Sequence, residues 1–316
     1  MSRNGGWPAP ACSPPDAAVP ADVAARLLSR CTFPPVGTRL TCAVSGGADS
    51  TALLVLAIAA GCVAEAVHVD HGLRAGSADE ADLVRDLATS LGATFRALQV
   101  EVVAGANVEA RARAARYAAL PCDVATGHTA DDQAETVLIN LLRGSSSTGL
   151  SAMRPGPRRP ILGLRRSETR TVCDAYGLTT VDDPTNDDRR FLRNRIRHEI
   201  LPALNAASSR DLVPVLCRQA DLLRDDDDLL EQLAAAIDPT DAQALTAAPA
   251  PLARRAVRRW IATAAPTGYA PDASAVERVL DVANGRTEAC ELPGRLRVSR
   301  RRQRLSVTPS GASTNR

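Results

Sequence analysis

The chain has 316 residues, 45% hydrophobic and 23% charged, with a formal net charge of +2, which suits one large core and a second smaller one and excludes a collagen-like or wholly disordered chain. The longest apolar run, 52–64, is too short and too internal to span a bilayer, and no basic region followed by an apolar core opens the sequence; the chain reads as cytoplasmic, with no membrane contact. Eight cysteines show no CxxC pair, and all 38 basic residues are arginine, so metal sites of clustered cysteines and chemistry on a protein lysine are both excluded.

Residues 1–35, rich in Pro, Ala and Gly, read as a poorly ordered extension with one short helix at 22–30. A strand and helix rhythm then begins. Strands are expected at 39–44, 63–69, 94–100 and 123–126, with a fifth near 159–162, and helices at 49–60, 77–91, 107–120 and 129–143. This alternation predicts an α/β fold, a mainly parallel doubly wound sheet with helices on its faces. In such sheets the site lies at the carboxyl ends of the strands. There "SGGADS" follows the first strand, "HVDHGLR" ends the second and "TGHTADDQAET" follows the fourth. A helix at 189–205 leads into a mostly helical region up to 283 and an alternating, arginine-rich tail. The expected division is a catalytic domain at 36–205 and a smaller, mostly helical domain with a basic tail at 206–316.

In "SGGADS", Gly46 and Gly47 permit close backbone approach, Ser45 and Ser50 offer hydroxyls, and the next helix begins at once. Amides at a helix start point outward at the positive end of its dipole, so an anion belongs there. The loop is not a Walker A motif, because the GxxxxGK[ST] spacing is missing and no lysine exists. Asp49 reads either as a helix cap or as a magnesium partner beside phosphate.

The SGGxDS loop after a first strand resembles that of the N-type ATP pyrophosphatases. The resemblance implies ATP as co-substrate with Mg2+, cleavage between the α and β phosphates, and transfer of AMP to a substrate oxygen. It also implies cofactor contacts at Ser45, Gly46, Gly47, Asp49, Ser50 and His71. Further stretches, "VHVDHGLR" (67–74), "NVEARARAARY" (107–117), "GHTADDQAETVLINLLRG" (127–144), "RPILGLRR" (159–166) and "DPTNDDRRFLRNRIRHEILP" (183–202), together resemble the tRNA(Ile)-lysidine synthetase family, in its short form without the extra C-terminal module. That family joins free L-lysine to C2 of the wobble cytidine, position 34, of tRNA(Ile) with a CAU anticodon, through an adenylated cytidine, and releases AMP and pyrophosphate.

On the matching positions the resemblance implies Asp49, Arg113, His128, Asp132 and Glu135 as catalytic members, with Asp49 as a magnesium partner, Asp132 handling magnesium or lysine, and Glu135 binding lysine. Glu109, Arg190, Arg193, Asn194 and Arg197 are implied as substrate or tRNA contacts. Asp132 and Glu135 are three apart and share a helix face. Arg190, Arg193 and Arg197 recur at three and four, which predicts one strongly basic face suited to RNA phosphates. A solvated surface is the plainer reading of any single arginine cluster. The sequence leaves room for a homodimer. The rivals are a tRNA thiolase of the same superfamily and a small-molecule amide-forming ATP pyrophosphatase. Thiolation calls for paired cysteines that the chain lacks, and the amide-forming enzyme leaves the basic helix unexplained.

Overall fold

A computed structural model of the chain describes residues 18–70, 77–100, 118–181, 188–265 and 271–310. They fall into two compact units, Met1–Ala220 and Asp221–Arg316. Among the described residues no helix is long and apolar enough to cross a membrane.

The first unit is built on three parallel strands, β1 (Arg39–Ala43), β2 (Val63–Asp70) and β3 (Thr94–Gln99), in the order β1-β2-β3. Helices α1 (Ala18–Leu28), α2 (Ala48–Ala59) and α3 (Ser77–Ser90) alternate with them. Strand side chains alternate between faces. Leu40, Cys42, Ala64 and Ala66 therefore join one core with α1, α2 and α3, while Ala43, Val67, Val69 and Leu98 join another with Leu120 and Val124. Every residue of α2 from Ser50 to Ala57 is buried, as expected of a helix that is apolar all round. Each fully buried leucine there, Leu53, Leu54 and Leu56, contributes roughly 1.5–3 kcal/mol.

Two expected strands are corrected. The segment 123–126 pairs with β1 only through a parallel bridge between Cys42 and Ala125, with Ala43 N–H and Ala125 N–H donating to the carbonyls of Ala125 and Thr41 at 2.9 and 2.8 Å. It is cut short by Pro121 and by the close packing of Gly127 against α2. Residues 159–162 form turns, in which Arg159 N–H donates to Gly156 and Leu162 N–H to Arg159. Pro160 has no N–H to give a ladder, and the turns bury Ile161 and Leu164 instead. The bridge still matters: it lies on the opposite side of β1 from β2, so the chain reverses direction across the sheet at β1. Ligands in open α/β sheets bind outside the strand ends at such a switch point.

Beyond the bridge come α4 (Ala130–Leu142), the short α5 (Ser147–Leu150) and α6 (Arg166–Ala175). The expected single helix at 189–205 is instead α7 (Leu192–Arg195), a π turn (Ile196–Ile200) and α8 (Leu201–Ser208) run together. Leu201 N–H bonds back to the Ile196 carbonyl. Pro202 cannot donate to His198, which favours the wider turn. Ile196, Leu201 and Val213 pack on Ala130, Ala134 and Leu138 of α4. The helix expected at 107–120 lies almost wholly outside the described residues.

The long helix α9 (Val213–Ala235) contains the division between the units. In the second unit α10 (Ala242–Ala247), α11 (Ala250–Ala264) and α12 (Ala273–Ala283) share a core with an antiparallel sheet of β4 (Ala289–Leu292), β5 (Leu296–Arg301) and β6 (Arg304–Pro309). Val257, Ile261, Val276, Val279, Val298 and Leu305 form its centre. The β5–β6 turn places both Arg302 and Gln303 at positive φ, 48° and 64°, the geometry that two-residue hairpin turns require.

Candidate active site

The loop after β1 opens α2 without a side-chain cap: Gly47 stands at the cap with extended backbone and no side-chain hydrogen bond. The first amides of a helix have no partner within it, so the start of α2 presents donors to an anion. Gly46, at φ 87°, turns the chain so that its carbonyl accepts from Val181 N–H at 2.9 Å. The Ser50 hydroxyl donates to the Gly47 carbonyl at 2.9 Å and accepts from Ser45 N–H at 3.1 Å, with the Ser45 hydroxyl 3.2 Å away. The loop is thus closed by its own serines. Gly127 packs directly on it, since a Cβ there would stand 2.7 Å from the Asp49 carbonyl oxygen. Only glycine lets the "TGH" turn approach α2 this closely.

That approach brings the start of α4 beside the start of α2. Asp132 accepts from both the N–H and the hydroxyl of Thr129 on one carboxylate oxygen, each at 2.9 Å, which fixes the first turn of α4. Its other oxygen lies 3.0 Å from Arg166 Nη2. Glu135, one turn later and 1% exposed, accepts from Arg193 Nε at 2.8 Å and from Arg197 Nε and Nη2 at 2.7 and 3.1 Å. Asp49, the second residue of α2, accepts from the Thr169 hydroxyl and lies 3.3 Å from Arg166 Nε. Asp131 holds Arg165 through two bonds of 3.1 Å and accepts from Arg166 N–H at 2.8 Å. Four carboxylates, Asp49, Asp131, Asp132 and Glu135, and four guanidiniums, of Arg165, Arg166, Arg193 and Arg197, are therefore linked in one network with balanced charge.

The carboxylates do not behave alike. Burial pushes Asp49 above the usual carboxylate range, and the Thr169 hydroxyl and Arg166 only partly offset it. Burial also acts on Asp132, but Arg166, Arg193, His128 and the Thr129 N–H outweigh it and hold that carboxyl below the usual range. Arg166 is likewise opposed by burial, yet Asp132, Glu135 and Asp49 hold its pKa above the ordinary guanidinium value. The Thr126 hydroxyl lies 2.7 Å from His128 Nδ1 and 3.1 Å from the Arg158 carbonyl, and so orients the imidazole.

Of the residues expected from the sequence, Ser45, Gly46, Gly47, Asp49, Ser50, His128, Asp132 and Glu135 lie on the loops and helix starts at this end of the sheet. His71, Glu109 and Arg113 lie outside the described residues. The basic face expected of 190, 193 and 197 is corrected. Arg190 sits in the turn before α7 with its guanidinium on Asp188, whereas Arg193 and Arg197 turn inward onto Glu135. Asn194 is buried and donates to the Asp188 carbonyl at 2.9 Å. Arg166 and Thr169 join the site beyond the residues expected from the sequence. The signal was present in "LRRSE", where Glu168 accepts from Arg165 N–H at 2.7 Å to start α6 and so aims the adjacent arginine. Among the described residues no group of three or more His, Cys, Asp or Glu is placed to hold a metal; Asp49 and Asp132 each contact Arg166.

The loop, the switch point and the absence of a Walker lysine define an ATP-binding protein of the PP-loop class, and a PP-loop domain model matches residues 21–204. A second model, the substrate binding domain named TilS, matches residues 241–306. The chain belongs to the tRNA(Ile)-lysidine synthase family. It is 43% identical over 249 residues to the tRNA(Ile)-lysidine synthase of Mycobacterium tuberculosis (strain CDC 1551 / Oshkosh), covering 73% of this chain and 77% of that one. It is 42% identical over 245 residues to that of Nocardia farcinica, covering 72% and 77%, and 40% identical over 308 residues to that of Symbiobacterium thermophilum, covering 83% and 64%. Among solved structures, the U34-tRNA thiolase NcsA from Methanococcus maripaludis shares the fold, with a TM-score of 0.50 and 17% identity over 65% of this chain and 78% of that one.

Proposed function

We propose that the protein ligates free L-lysine to C2 of the wobble cytidine of tRNA(Ile) with a CAU anticodon, using ATP and releasing AMP and pyrophosphate. The observation that carries this is the meeting of the "SGGADS" helix start with Asp132 and Glu135 in a member of the lysidine synthase family. The open amides of α2, with Ser45, Gly46, Gly47 and Ser50, receive the departing pyrophosphate. Asp49 and Asp132 suit magnesium, which takes one or two carboxylates and completes its shell with phosphate and water; both touch one guanidinium, so they face a common cation position. Bound there, magnesium would supply neutralisation of the phosphate charge.

The other substrate is a cation. Free lysine has a side-chain pKa near 10.4, so presenting its neutral amine at pH 7 costs about 4–5 kcal/mol. Glu135 and Asp132 serve as fixed anions that draw the ammonium in, and the guanidiniums of Arg193 and Arg197 provide a counterpart for its carboxylate. Asp132, held below the usual range, is a poor acceptor of the ammonium proton. The imidazole of His128 is the better acceptor, since an ordinary histidine titrates at about 6.5. The amine then attacks C2 and AMP leaves. Arg113, Glu109 and His71 enter this reading on the motif resemblance alone, as does an RNA-binding role for Arg190 and the C-terminal arginines.

The test incubates the purified protein with labelled lysine, ATP and a tRNA(Ile) transcript bearing CAU. Label in the tRNA and pyrophosphate release that require all three components are expected. A transcript that takes up sulfur and no lysine, or pyrophosphate release indifferent to tRNA, overturns the proposal.

A further inference from the structure

Arg166 stands on a different element from every carboxylate that it touches. Asp49 comes from α2, Asp132 and Glu135 come from α4, and Arg166 opens α6. Its backbone is pinned, because its N–H donates to Asp131 at 2.8 Å and the neighbouring Glu168 is held by Arg30 at 2.6 Å. The side chain beyond that anchor is long and 21% exposed. Glu135 does not depend on it: the Arg166 contact is 3.4 Å, while Arg193 and Arg197 bond to Glu135 at 2.8 and 2.7 Å. Its shortest carboxylate contact is Oδ1 of Asp132 at 3.0 Å, and it reaches Oδ2 of Asp49 at 3.3 Å. Asp49 has, besides Arg166, the neutral hydroxyl of Thr169 as donor. For Asp132 Oδ1 the other guanidiniums, of Arg193 and Arg197, stay at 3.6 Å.

We propose that Arg166 is a resident counter-ion, a positioning residue that fills the cation position between Asp49 and Asp132 in the nucleotide-free protein and yields it when metal arrives with ATP. This rests on the proposed magnesium role of those two carboxylates. Its consequence is ordered loading, since bare divalent metal has to compete with a tethered guanidinium, whereas metal carried on a triphosphate brings an anion to which that guanidinium can turn. Two carboxylates facing one position repel each other unless a cation separates them, and the tether supplies that cation without drawing on solution.

The probe is Mn2+ alone, followed by the loss of its free-ion magnetic resonance signal on binding, with no nucleotide present. Arg166→Met is expected to bind Mn2+ at least about tenfold more tightly than the parent protein, since a charge within ~4–6 Å shifts an ionic equilibrium by about one to three decades. Arg166→Lys should stay near the parent, and Asp49→Asn added to Arg166→Met should abolish the gain. Millimolar guanidinium ion should compete with Mn2+ in Arg166→Met and leave the parent unaffected, a response that a purely structural role does not produce. Arg166→Gln, which keeps an amide donor for the carboxylates, provides the same readout should the methionine variant unfold, and it must also tighten. Mn2+ affinity no higher than the parent's in the folded variant overturns the inference. Lysine incorporation by the parent protein separates the two ideas. Incorporation without an Mn2+ gain removes this inference alone, and an Mn2+ gain without incorporation removes the ligase reading alone.

Discussion

Glu135 is the point at which stability and function are most tightly joined, and replacing it with glutamine separates the two. Its side chain is 1% exposed and takes three charge-assisted bonds from Arg193 and Arg197, whose side chains are 28% and 23% exposed. Removing one partner of a fully buried pair costs about 3–5 kcal/mol because the other charge is stranded. Here the guanidiniums reach water and the amide keeps one acceptor, so about 2–3 kcal/mol is expected. In a unit of this size each kcal/mol lowers the melting temperature by about 2–4 °C, which gives a fall of roughly 4–12 °C. The assay is thermal and urea unfolding, with hydrogen exchange followed on peptides from α4 and the π turn.

A double-mutant cycle with Arg197→Met makes the reasoning refutable. Arg197 in the single Glu135→Gln variant is a cation without its anion, and the double variant removes both. The double should therefore be less destabilised than the sum of the singles by about 1–2 kcal/mol. Additivity within ~0.5 kcal/mol would mean that the two side chains do not share an ion pair, and the account of this site would fail. In turnover the Glu135→Gln variant should raise the KM for lysine about tenfold or more with little change for ATP, because the ATP loop lies on α2 and touches Glu135 only through Arg166.

The two aspartates should answer pH in opposite senses. Asp132 has a folded pKa below its unfolded value, near 3.9, so its stabilisation is complete above that pH and is lost as pH falls through the folded value; Asp132→Asn should melt lower than the parent at pH 7, with the gap narrowing below about pH 4. Asp49 has a raised pKa, so its favourable contribution exists only at low pH and is lost as pH rises; Asp49→Asn should melt at or above the parent temperature at pH 7 while losing turnover, and a large fall in melting temperature would contradict the burial argument. Gly127→Ala forces a methyl group within 2.7 Å of the Asp49 carbonyl; a loss of about 1–3 kcal/mol is expected from such overpacking, with a raised KM for ATP, and a variant that melts and binds ATP as the parent does would show that the turn does not set the loop.

How much of this was readable in the sequence follows from the range of each interaction. "SGGADS" is a local device of a turn plus a helix start, and Thr129 with Asp132 is a cap three residues long, so both are legible without tertiary structure. Helical periodicity places Asp132 and Glu135 on one face for the same reason. Periodicity says nothing of what a face meets. Arg193 and Arg197 repeat at four like any solvated basic stripe, yet they turn onto Glu135, about sixty residues earlier in the chain. Arg166 reaches Asp49 across 117 residues, and in a chain with 38 basic residues only the helix start in "LRRSE" marks that one arginine, without saying what it meets. The run "ILGL" offered four apolar or neutral residues and could be strand or turn on pattern alone. Pro160 and the carbonyl of Gly156 decided for the turn.

The arginine-only composition restricts how this site can handle protons. A guanidinium stays protonated throughout the physiological range, so Arg166, Arg193 and Arg197 fix charge and geometry but cannot relay the proton that lysine has to lose. Asp132 lies under those guanidiniums, which favour the ionised carboxylate and so weaken it as a base. Asp49 accepts protons more readily, but it is the carboxylate assigned to the phosphate side of the site. His128 differs from all of them, because it is an imidazole, held by the Thr126 hydroxyl 2.7 Å from its Nδ1. Fixed arginines, fixed anions and one oriented imidazole divide the work so that the amine able to deprotonate in this site is the substrate's own.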